Sequence, residues 1–424
     1  MLQNSSTHTL AQLSAASDKG PASQSSWIPI SSTLSPSQKA AQLIGEEGFI
    51  WLDSATSNPD SCSYLTAKPS FLLSGHMDPD WTKVVEALEN GQSEGKSGGL
   101  FGWVNYDGNF QLGYYPSVLK FDHAAGTWFE NGPFLSSNSD FLATNPLATS
   151  LPFQPLVSRE EFVSRVKAAQ RYITAGDIYQ VNLSYPWLAQ WPKDASILPF
   201  YDRLRQISPA PYAACLNLAG TTLFSASPEL FLQMSGRNIT TRPIKGTRPR
   251  FADDLDRDAQ SARDLLACDK ERAELLMITD LERNDLGQVC EFGSVQTPDL
   301  WHVESFAQVY HLVSTVTGTL RPEINHAAAF QACFPGGSIS GAPKRRALEV
   351  IRELETHPRG LYTGAIGYFG FDGTSQWNIA IRTAVKHQDH ISFHVGSGIV
   401  ADSIPEREWE ETLHKASGLL KAWS

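Results

Sequence analysis

The sequence lacks the features that mark several large protein classes. Its 424 residues include only five cysteines, with no CxxC pair, which excludes a disulfide-stapled protein. No apolar run approaches the roughly 18 residues that a membrane-spanning helix needs. There is no long Lys/Arg tract, and 34 basic against 45 acidic residues give a formal charge of −11, which disfavours nucleic-acid and anionic-membrane partners. The 41% hydrophobic and 19% charged residues that are present indicate a folded chain with an ample core.

The N-terminal end has neither the charged start nor the apolar centre of a secretory signal. Residues 1–26 are rich in Ser, Ala, Gln and Thr and contain no Arg, so we predict a disordered tail on a cytoplasmic protein. A Pro-rich stretch at 146–155 separates an N-terminal part, residues 27–150, from a second part, residues 151–424.

Apolar periodicity predicts a mixed α/β architecture without strict alternation of strands and helices. The predicted strands are Phe49–Asp53, Gly99–Tyr106, Phe110–Tyr115, Tyr179–Ser184, Tyr212–Leu218 and two β-rich runs, Tyr362–Phe371 and Trp377–Val385. The predicted helices are Arg159–Ala175 behind a Ser158 cap, one long helix Asp256–Arg283, Lys344–Glu355 and Pro405–Trp423.

The densest basic cluster is Thr241–Arg250. An isolated run of this kind is usually a solvated turn. Lys245, however, lies between Ile244 and Gly246, and it follows Glu229, a carboxylate at the end of a strand-like run. A Lys and a Glu brought together can act as nucleophile and general acid, provided that burial or nearby cations keep the amine neutral.

Two acidic helices each place a pair of carboxylates on one face. Glu271 and Glu274 are three residues apart, as are Glu408 and Glu411, and Lys415 follows one turn later. Taken singly, each pattern is typical of a salt-bridged, exposed helix. The alternative is that the two helices converge on Mg²⁺, a hard cation that takes oxygen ligands. No HExxH, EF-hand or Cys/His pattern offers a competing metal site.

Three glycine-rich stretches and one arginine complete the candidates. The stretch Phe334–Lys344, which contains Ser338, leads into a helix start, where backbone N–H groups could receive an anion. The stretches around Tyr362 and Gly396–Gly398 read singly as tight turns. Arg382 lies in an apolar, strand-like run and needs an anionic partner, which spacing leaves open between a structural and a substrate carboxylate.

Taken together, these stretches resemble the chorismate-utilising enzymes, which include anthranilate synthase component I, aminodeoxychorismate synthase component I, isochorismate synthase and salicylate synthase. The resemblance is strong over residues 155–424 and weak before them. The stretches that carry it are Ala175–Leu183, Ser227–Phe231, Pro243–Thr247, Asp280–Gly287, His311–Ser314, Phe334–Lys344 and Gly396–Ser403.

The resemblance implies an anthranilate synthase component I-like α/β (α+β) sandwich: two packed antiparallel sheets with outer helices, in one intertwined domain built from both chain halves. It implies Lys245 and Glu229 as catalytic residues and Mg²⁺ on Glu274 and Glu411, with Glu271 and Glu408 nearby. The substrate-binding residues that it implies are His311, Ser338, Tyr362, Arg382, Gly396, Gly398 and Lys415. A tryptophan pocket that includes Pro211 and Tyr212 is a further hypothesis.

Within the family, anthranilate synthases read Pro-Ile-Ala-Gly-Thr where this chain reads Pro-Ile-Lys-Gly-Thr. A lysine there resembles the aminodeoxychorismate synthases of para-aminobenzoate and folate synthesis, which favours a product aminated at C4. No segment resembles a glutamine amidotransferase, so we expect ammonia from a separate glutaminase subunit or from free ammonium. The rival readings are anthranilate synthase, isochorismate synthase and a catalytically silent paralogue that binds a ligand or partner.

Overall fold

A computed structural model describes residues 27–55, 61–133, 150–193, 195–306 and 308–424. The predicted N-terminal tail and the first half of the Pro-rich stretch at 146–155 lie outside these ranges. Within them, the chain forms two antiparallel sheets and ten helices, and no helix is both long and apolar enough to cross a membrane.

The larger sheet has twelve strands in the described residues, ordered β1-β8-β7-β3-β2-β11-β12-β21-β22-β10-β18, with β9 also on β10. Its strands are β1 (Ile28–Ile30), β2 (Phe49–Asp53), β3 (Cys62–Thr66), β7 (Val118–Asp122), β8 (Thr127–Asn131), β9 (Gln154–Pro155), β10 (Gln180–Gln190), β11 (Tyr212–Leu218), β12 (Thr221–Ser227), β18 (Gly341–Ala342), β21 (Thr383–His387) and β22 (His390–Ile399).

The smaller sheet has ten strands in the same ranges, ordered β15-β17-β14-β13-β20-β19-β5-β6-β4, with β16 also on β17. Its strands are β4 (Phe71–His76), β5 (Gly99–Val104), β6 (Asn109–Tyr115), β13 (Leu230–Ser235), β14 (Asn238–Arg242), β15 (Ile244–Pro249), β16 (Gln296–Ser305), β17 (Val309–Thr319), β19 (Ala365–Gly370) and β20 (Thr374–Ile379).

The helices pack on the outer faces of these sheets. They are α1 (Pro36–Leu43), α2 (Met77–Asp80), α3 (Thr82–Ser93), α4 (Arg159–Thr174), α5 (Ile197–Ile207), α6 (Leu255–Ala267), α7 (Asp269–Gly287), α8 (His326–Cys333), α9 (Lys344–Leu354) and α10 (Pro405–Ala422). At α4 the Ser158 hydroxyl accepts the Glu161 N–H at 3.2 Å, the cap that its sequence predicts.

Separate apolar clusters define the layers of the sandwich. One cluster joins Ile50 and Leu216 of the larger sheet to Trp103 and Ile366 of the smaller sheet, so it fills the space between the sheets. The other face of the larger sheet packs on α4, α5, α9 and α10, and that of the smaller sheet packs on α3 and α8. The order is therefore helix, sheet, sheet, helix, and both chain halves supply strands to both sheets.

Two element predictions were wrong in ways that matter for the site. The long helix predicted from Asp256 is broken at Cys268, whose extended backbone (ψ 104°) separates α6 from α7. The β-rich run Trp377–Val385 is two strands in different sheets, β20 and β21. Arg382 lies in the crossover between them with φ 49°, rather than within a strand.

Candidate active site

Lys245 lies on β15, and its amine is the centre of the candidate site. The Nζ atom donates to the backbone oxygen of Ser338 at 3.3 Å. Burial lowers the pKa of the amine, while the carboxylates of Glu274 and Glu229 oppose that shift. The partly buried amine therefore gains a larger fraction of the neutral, nucleophilic form than an exposed lysine has.

Glu229 lies in the short connection between β12 and β13 and is only 5% exposed. Burial raises the pKa of its carboxyl, and Ser338 and Lys245 oppose the shift from one side. A raised pKa favours the protonated form, which can give a proton to a leaving group. The two predicted catalytic residues are thus neighbours, and desolvation favours the neutral form of each.

Helix α7 brings the first pair of carboxylates to the same amine. Burial raises the pKa of Glu274, the charge of Lys245 opposes that shift, and the Lys270 amine lies 3.9 Å from the carboxylate. Glu271, one turn earlier, lies 3.5 Å from the Arg248 guanidinium. The break at Cys268 gives α7 a direction of its own, independent of α6.

Helix α10 supplies the second pair from the opposite side. The Ser397 hydroxyl of β22 contacts Glu408, which is 5% exposed, and donates to Glu411 at 3.3 Å. The Glu411 side chain is about half exposed, and Lys415 at 2.8 Å lowers the pKa of that carboxyl. Lys415 also donates to the Gly396 oxygen at 3.0 Å.

The carboxylates fit a hard cation by donor type but do not form a closed cage. In the described ranges, no group of three or more His, Cys, Asp or Glu side chains is close enough to hold a metal ion by itself. Glu274 and Glu411 nevertheless act on the same amine, Lys245. A Mg²⁺ ion on this pair would need water and substrate oxygens to complete its shell, which is how Mg²⁺ usually binds.

Two glycines of β22 leave room beside these side chains. A Cβ at Gly396 would lie 2.9 Å from the Tyr362 hydroxyl, and a Cβ at Gly398 would lie 2.5 Å from Gln180 Nε2 and 3.7 Å from Lys245 Nζ. Tyr362 stacks on His394 with ring centroids 5.4 Å apart. A side chain at Gly398 would therefore occupy the space in front of Lys245, and one at Gly396 would displace Tyr362.

His311 and Arg382 lie on the far side of Glu229. His311 is 2% exposed on β17, and its Nδ1 is 3.0 Å from the Thr247 hydroxyl. Burial, reinforced by the charge of Arg382, lowers the pKa of His311 to about 3, so the imidazole is neutral at physiological pH. Arg382 makes no hydrogen bond through its side chain within the described chain, and burial lowers its pKa while Glu229 opposes that shift. A partly buried guanidinium whose side chain has no hydrogen-bond partner in the described chain is suited to an anionic ligand.

One sequence-based expectation is placed differently, and another is not tested. The Gly337 N–H does not face an anion site but donates to the buried Glu282 carboxylate at 2.8 Å. Pro211 precedes β11 and Tyr212 starts it, and Tyr212 lies beside Arg242 and Glu304. The tryptophan pocket remains a hypothesis.

Sequence reasoning did not single out several residues that contact the site. Gln180 stands within a recognised motif, yet its Oε1 is buried without a hydrogen-bond partner in the described chain and is free to accept a hydrogen bond from a ligand. Thr247 orients His311. Arg359 has no motif at all, and its environment is visible only in three dimensions.

The model of the chorismate binding enzyme family matches residues 84–421, four-fifths of the chain. The chain belongs to the chorismate binding enzymes. The match begins within the N-terminal part, ahead of the Pro-rich stretch.

Relatives of this family member carry two different names. An anthranilate synthase component 1 of Haloarcula marismortui is 47% identical over 270 residues, which cover 64% of this chain and 55% of that protein. An aminodeoxychorismate synthase component 1 of Klebsiella aerogenes is 44% identical over 264 residues, 62% of this chain and 58% of that protein. The chain thus spans little more than half the length of these relatives.

A solved structure supports the same fold. The crystal structure of anthranilate synthase component I from Streptococcus pneumoniae superposes with a TM-score of 0.75 at 28% identity, and covers 86% of this chain and 93% of that one. The predicted sandwich of two antiparallel sheets with outer helices is confirmed.

Proposed function

We propose that this chorismate binding enzyme aminates chorismate at C4 and releases 4-amino-4-deoxychorismate. The observation that carries the proposal is Lys245: a partly buried amine, with a lowered pKa, beside a buried carboxyl with a raised pKa. This pair suits a covalent route, in which the enzyme supplies its own nucleophile and general acid.

The proposed reaction has two displacements. Lys245 Nζ attacks ring C2, both double bonds of the ring diene shift, and the C4 hydroxyl leaves as water with the proton of Glu229. Ammonia then adds at C4, both ring double bonds shift back, and the C2–N bond breaks, which returns the amine to Lys245. The surplus proton of the ammonia restores Glu229. Each step needs Lys245 to be neutral when it attacks and Glu229 to be protonated when the hydroxyl leaves.

The rest of the site suits a dicarboxylate substrate. Tyr362, Arg382 and Lys415, with the space above Gly396 and Gly398, would hold the enolpyruvyl carboxylate, and His311 would lie by the ring hydroxyl. Glu274 and Glu411 would hold Mg²⁺, which when bound would neutralise the ring carboxylate and act as a Lewis acid. Ammonia would come from a glutaminase subunit, in line with relatives that are named as component 1 of a synthase.

A second candidate is amination at C2 to give anthranilate. The names of the relatives favour it, since the Haloarcula protein at 47% identity and the Streptococcus structure are both anthranilate synthases. In that reaction ammonia itself attacks C2, and a lysine amine in front of that carbon would compete with it. The position of Lys245 is therefore the feature on which the two candidates differ.

Product analysis tests the proposal. The purified chain receives chorismate, Mg²⁺ and excess ammonium at alkaline pH, with and without an added aminodeoxychorismate lyase. We expect an amino product that the lyase converts to para-aminobenzoate. Anthranilate, or a hydroxylated isomer of chorismate, would overturn the assignment of the branch while leaving the family intact.

A lysine variant separates catalysis from binding. Lys245→Ala is expected to lose the C4-amino product while it still binds chorismate in calorimetry. Lys167→Ala, on helix α4, is the matched control and should keep full activity. Absence of turnover in the wild type, even with a glutaminase subunit present, would instead favour the silent-paralogue reading.

A further inference from the structure

Arg359 is a buried cation that the proposed chemistry does not use. It follows α9 and is 4% exposed. Its guanidinium pairs with Glu355 through Nε at 2.9 Å and Nη2 at 2.8 Å. The remaining donors reach the backbone oxygens of Asn182 at 2.6 Å and Ile339 at 3.1 Å, and the Thr363 hydroxyl at 3.1 Å.

Each of these acceptors adjoins a residue of the candidate site. Asn182 pairs across the sheet with Gly398. Ile339 follows Ser338, the acceptor of the Lys245 amine. Thr363 follows Tyr362, whose hydroxyl lies against Gly396. One side chain therefore ties together three separate chain segments on which site residues stand.

Glu355 extends the connection to a fourth point. Its Oε1 accepts the Ser184 N–H at 2.7 Å and the Ser184 hydroxyl at 3.0 Å. Ser184 lies opposite Gly396 in the pairing of β10 with β22. Because Glu355 neutralises Arg359, the guanidinium acts here through its geometry rather than as an unpaired charge for substrate.

The backbone conformation of Thr363 requires a restraint of the kind that Arg359 provides. Its φ is 63°, a left-handed conformation that a β-branched residue rarely adopts. Strained residues of this kind persist only where the surroundings hold them. The Arg359 hydrogen bond to the Thr363 hydroxyl, with the backbone bond from the Thr363 N–H to the Ala380 oxygen at 2.9 Å, supplies that restraint.

We propose that Arg359 is a positioning residue, which fixes the Ser338 loop, Tyr362 and the β10 edge of the chorismate site in one arrangement. The inference rests on the proposed function only in that chorismate is the substrate. Lysine cannot replace it, since a single ammonium has three donors and lacks the planar fork that reaches four acceptors at once. Displacement of reacting groups by about 1 Å can cost roughly 100-fold in rate.

A neighbouring cavity allows a sharp test. Arg359 and Glu355 line an open cavity of about 540 Å³, together with Tyr106, Arg352 and His357. The guanidinium lies over the Tyr106 ring, 4.6 Å from its centroid. Truncation of Arg359 would join the vacated space to this cavity, so that a small soluble guanidinium could enter it.

The experiment compares chorismate consumption by the full chain, which does not depend on which amino product forms. Arg359→Lys is expected to lower kcat by 10- to 100-fold. The kcat of Arg359→Ala is expected to be lower still. Millimolar methylguanidinium should raise the kcat of this variant at least tenfold. Chorismate affinity, measured by calorimetry, should weaken in parallel and provides the same comparison even without turnover.

Arg165→Lys is the matched control. Arg165 is 7% exposed, pairs with Glu161 one turn away and donates to the Thr356 hydroxyl at 2.7 Å beside Glu355, but it has no hydrogen bond to the backbone of the site. Arg165→Lys should lose a similar amount of thermal stability while its kcat stays unchanged.

The proposal would be overturned if Arg359→Lys had a kcat and a chorismate affinity within twofold of the wild type. Equal losses of kcat in both lysine variants would overturn it as well. If Arg359→Ala does not fold, the kcat and chorismate affinity of Arg359→Lys alone test the proposal. A wild type that makes anthranilate would refute the proposed function and leave this comparison standing.

Discussion

Lys245 and Glu229 could form an ordinary ion pair, but burial favours their neutral forms. Desolvation is the largest influence on both, and it lowers the pKa of the amine while it raises the pKa of the carboxyl. The acid limb of the kcat/KM profile then belongs to loss of the free amine, and the alkaline limb to loss of the carboxyl proton. Because burial lowers the pKa of Lys245 and raises that of Glu229, the two pKa values approach each other. We therefore expect a bell-shaped profile of kcat/KM against pH.

Glu229→Gln tests this assignment. An amide cannot protonate the departing hydroxyl, so kcat should fall by about 10²- to 10⁴-fold, and the alkaline limb should disappear while the acid limb remains. The measurement is kcat/KM as a function of pH for variant and wild type. An alkaline limb that survives in the variant would assign it to another group.

Burial also raises the pKa of Glu282, a carboxyl with a structural role. It is 3% exposed, its Oε2 has no hydrogen-bond partner in the described chain, and burial together with Asp285 raises the pKa of its carboxyl. Since the folded pKa lies above the unfolded pKa, the folded state binds the proton more tightly. Stability therefore falls as the pH rises through this range.

Glu282→Gln should remove that dependence. The neutral amide can still accept the Gly337 N–H, so we expect a gain of about 1–3 kcal/mol in unfolding free energy at pH 8 and little change at pH 4. Chemical unfolding at the two pH values measures it. An equal change at both would show that Glu282 is protonated throughout or is paired through a buried water.

At the scale of elements, α7 and α9 together hold the glycine-rich loop before Ser338. Lys344, at the start of α9, pairs with Asp285 of α7 and donates to the oxygens of Cys333 at 3.2 Å and Pro335 at 2.8 Å. Asp285 is 3% exposed, so loss of the ammonium would leave a buried carboxylate uncompensated.

Lys344→Met should therefore cost about 3–5 kcal/mol of unfolding free energy, more at pH 8 than at pH 5, where Asp285 can take up a proton. The double variant Lys344→Met/Asp285→Asn should recover part of the loss. Urea unfolding of the three proteins provides the comparison. A double variant less stable than Lys344→Met would show that Asp285 has stabilising contacts of its own.

The elements that followed local pattern were predictable, and those set by packing were not. The strands Phe49–Asp53 and Tyr212–Leu218 alternate or run apolar between turn residues, and the structure has them with the same bounds. The break at Cys268 carries no Gly or Pro signal. It lets α7 follow a direction of its own, a requirement of tertiary structure that helical periodicity cannot express.

The residues of the candidate site also include some that the sequence predicts and others that only the structure reveals. Lys245, Glu229 and the paired glutamates stand in motifs whose order along the chain points to one chemistry, and the structure brings Lys245, Glu229, Glu274 and Glu411 together. Arg359 and Glu355 act through backbone atoms of distant segments, so their own sequence carries no trace of the role. Arg382 was predicted to lie in a strand because the crossover between the two sheets has strand-like apolar neighbours on both sides.

At the scale of the whole molecule, the two chain halves are interleaved strand by strand. Strand β11 lies between β2 and β12, and β19 lies between β5 and β20. A chain of residues 151–424 alone would expose one edge of each strand and the apolar faces that Ile50, Leu52 and Trp103 cover. Unpaired edges and uncovered apolar faces favour aggregation over a packed native state.

We therefore expect the 151–424 fragment to lack a cooperative thermal transition and to bind no chorismate, although it contains every residue proposed for catalysis. Full-length protein should unfold with coincident near- and far-ultraviolet dichroism, because neither sheet is complete without the other half. Addition of separately made 27–150 should restore part of the chorismate binding if the strands can re-pair. A fragment that unfolds sharply and binds chorismate would show instead that the edges of β11 and β19 tolerate solvent, and that the two halves are separable domains.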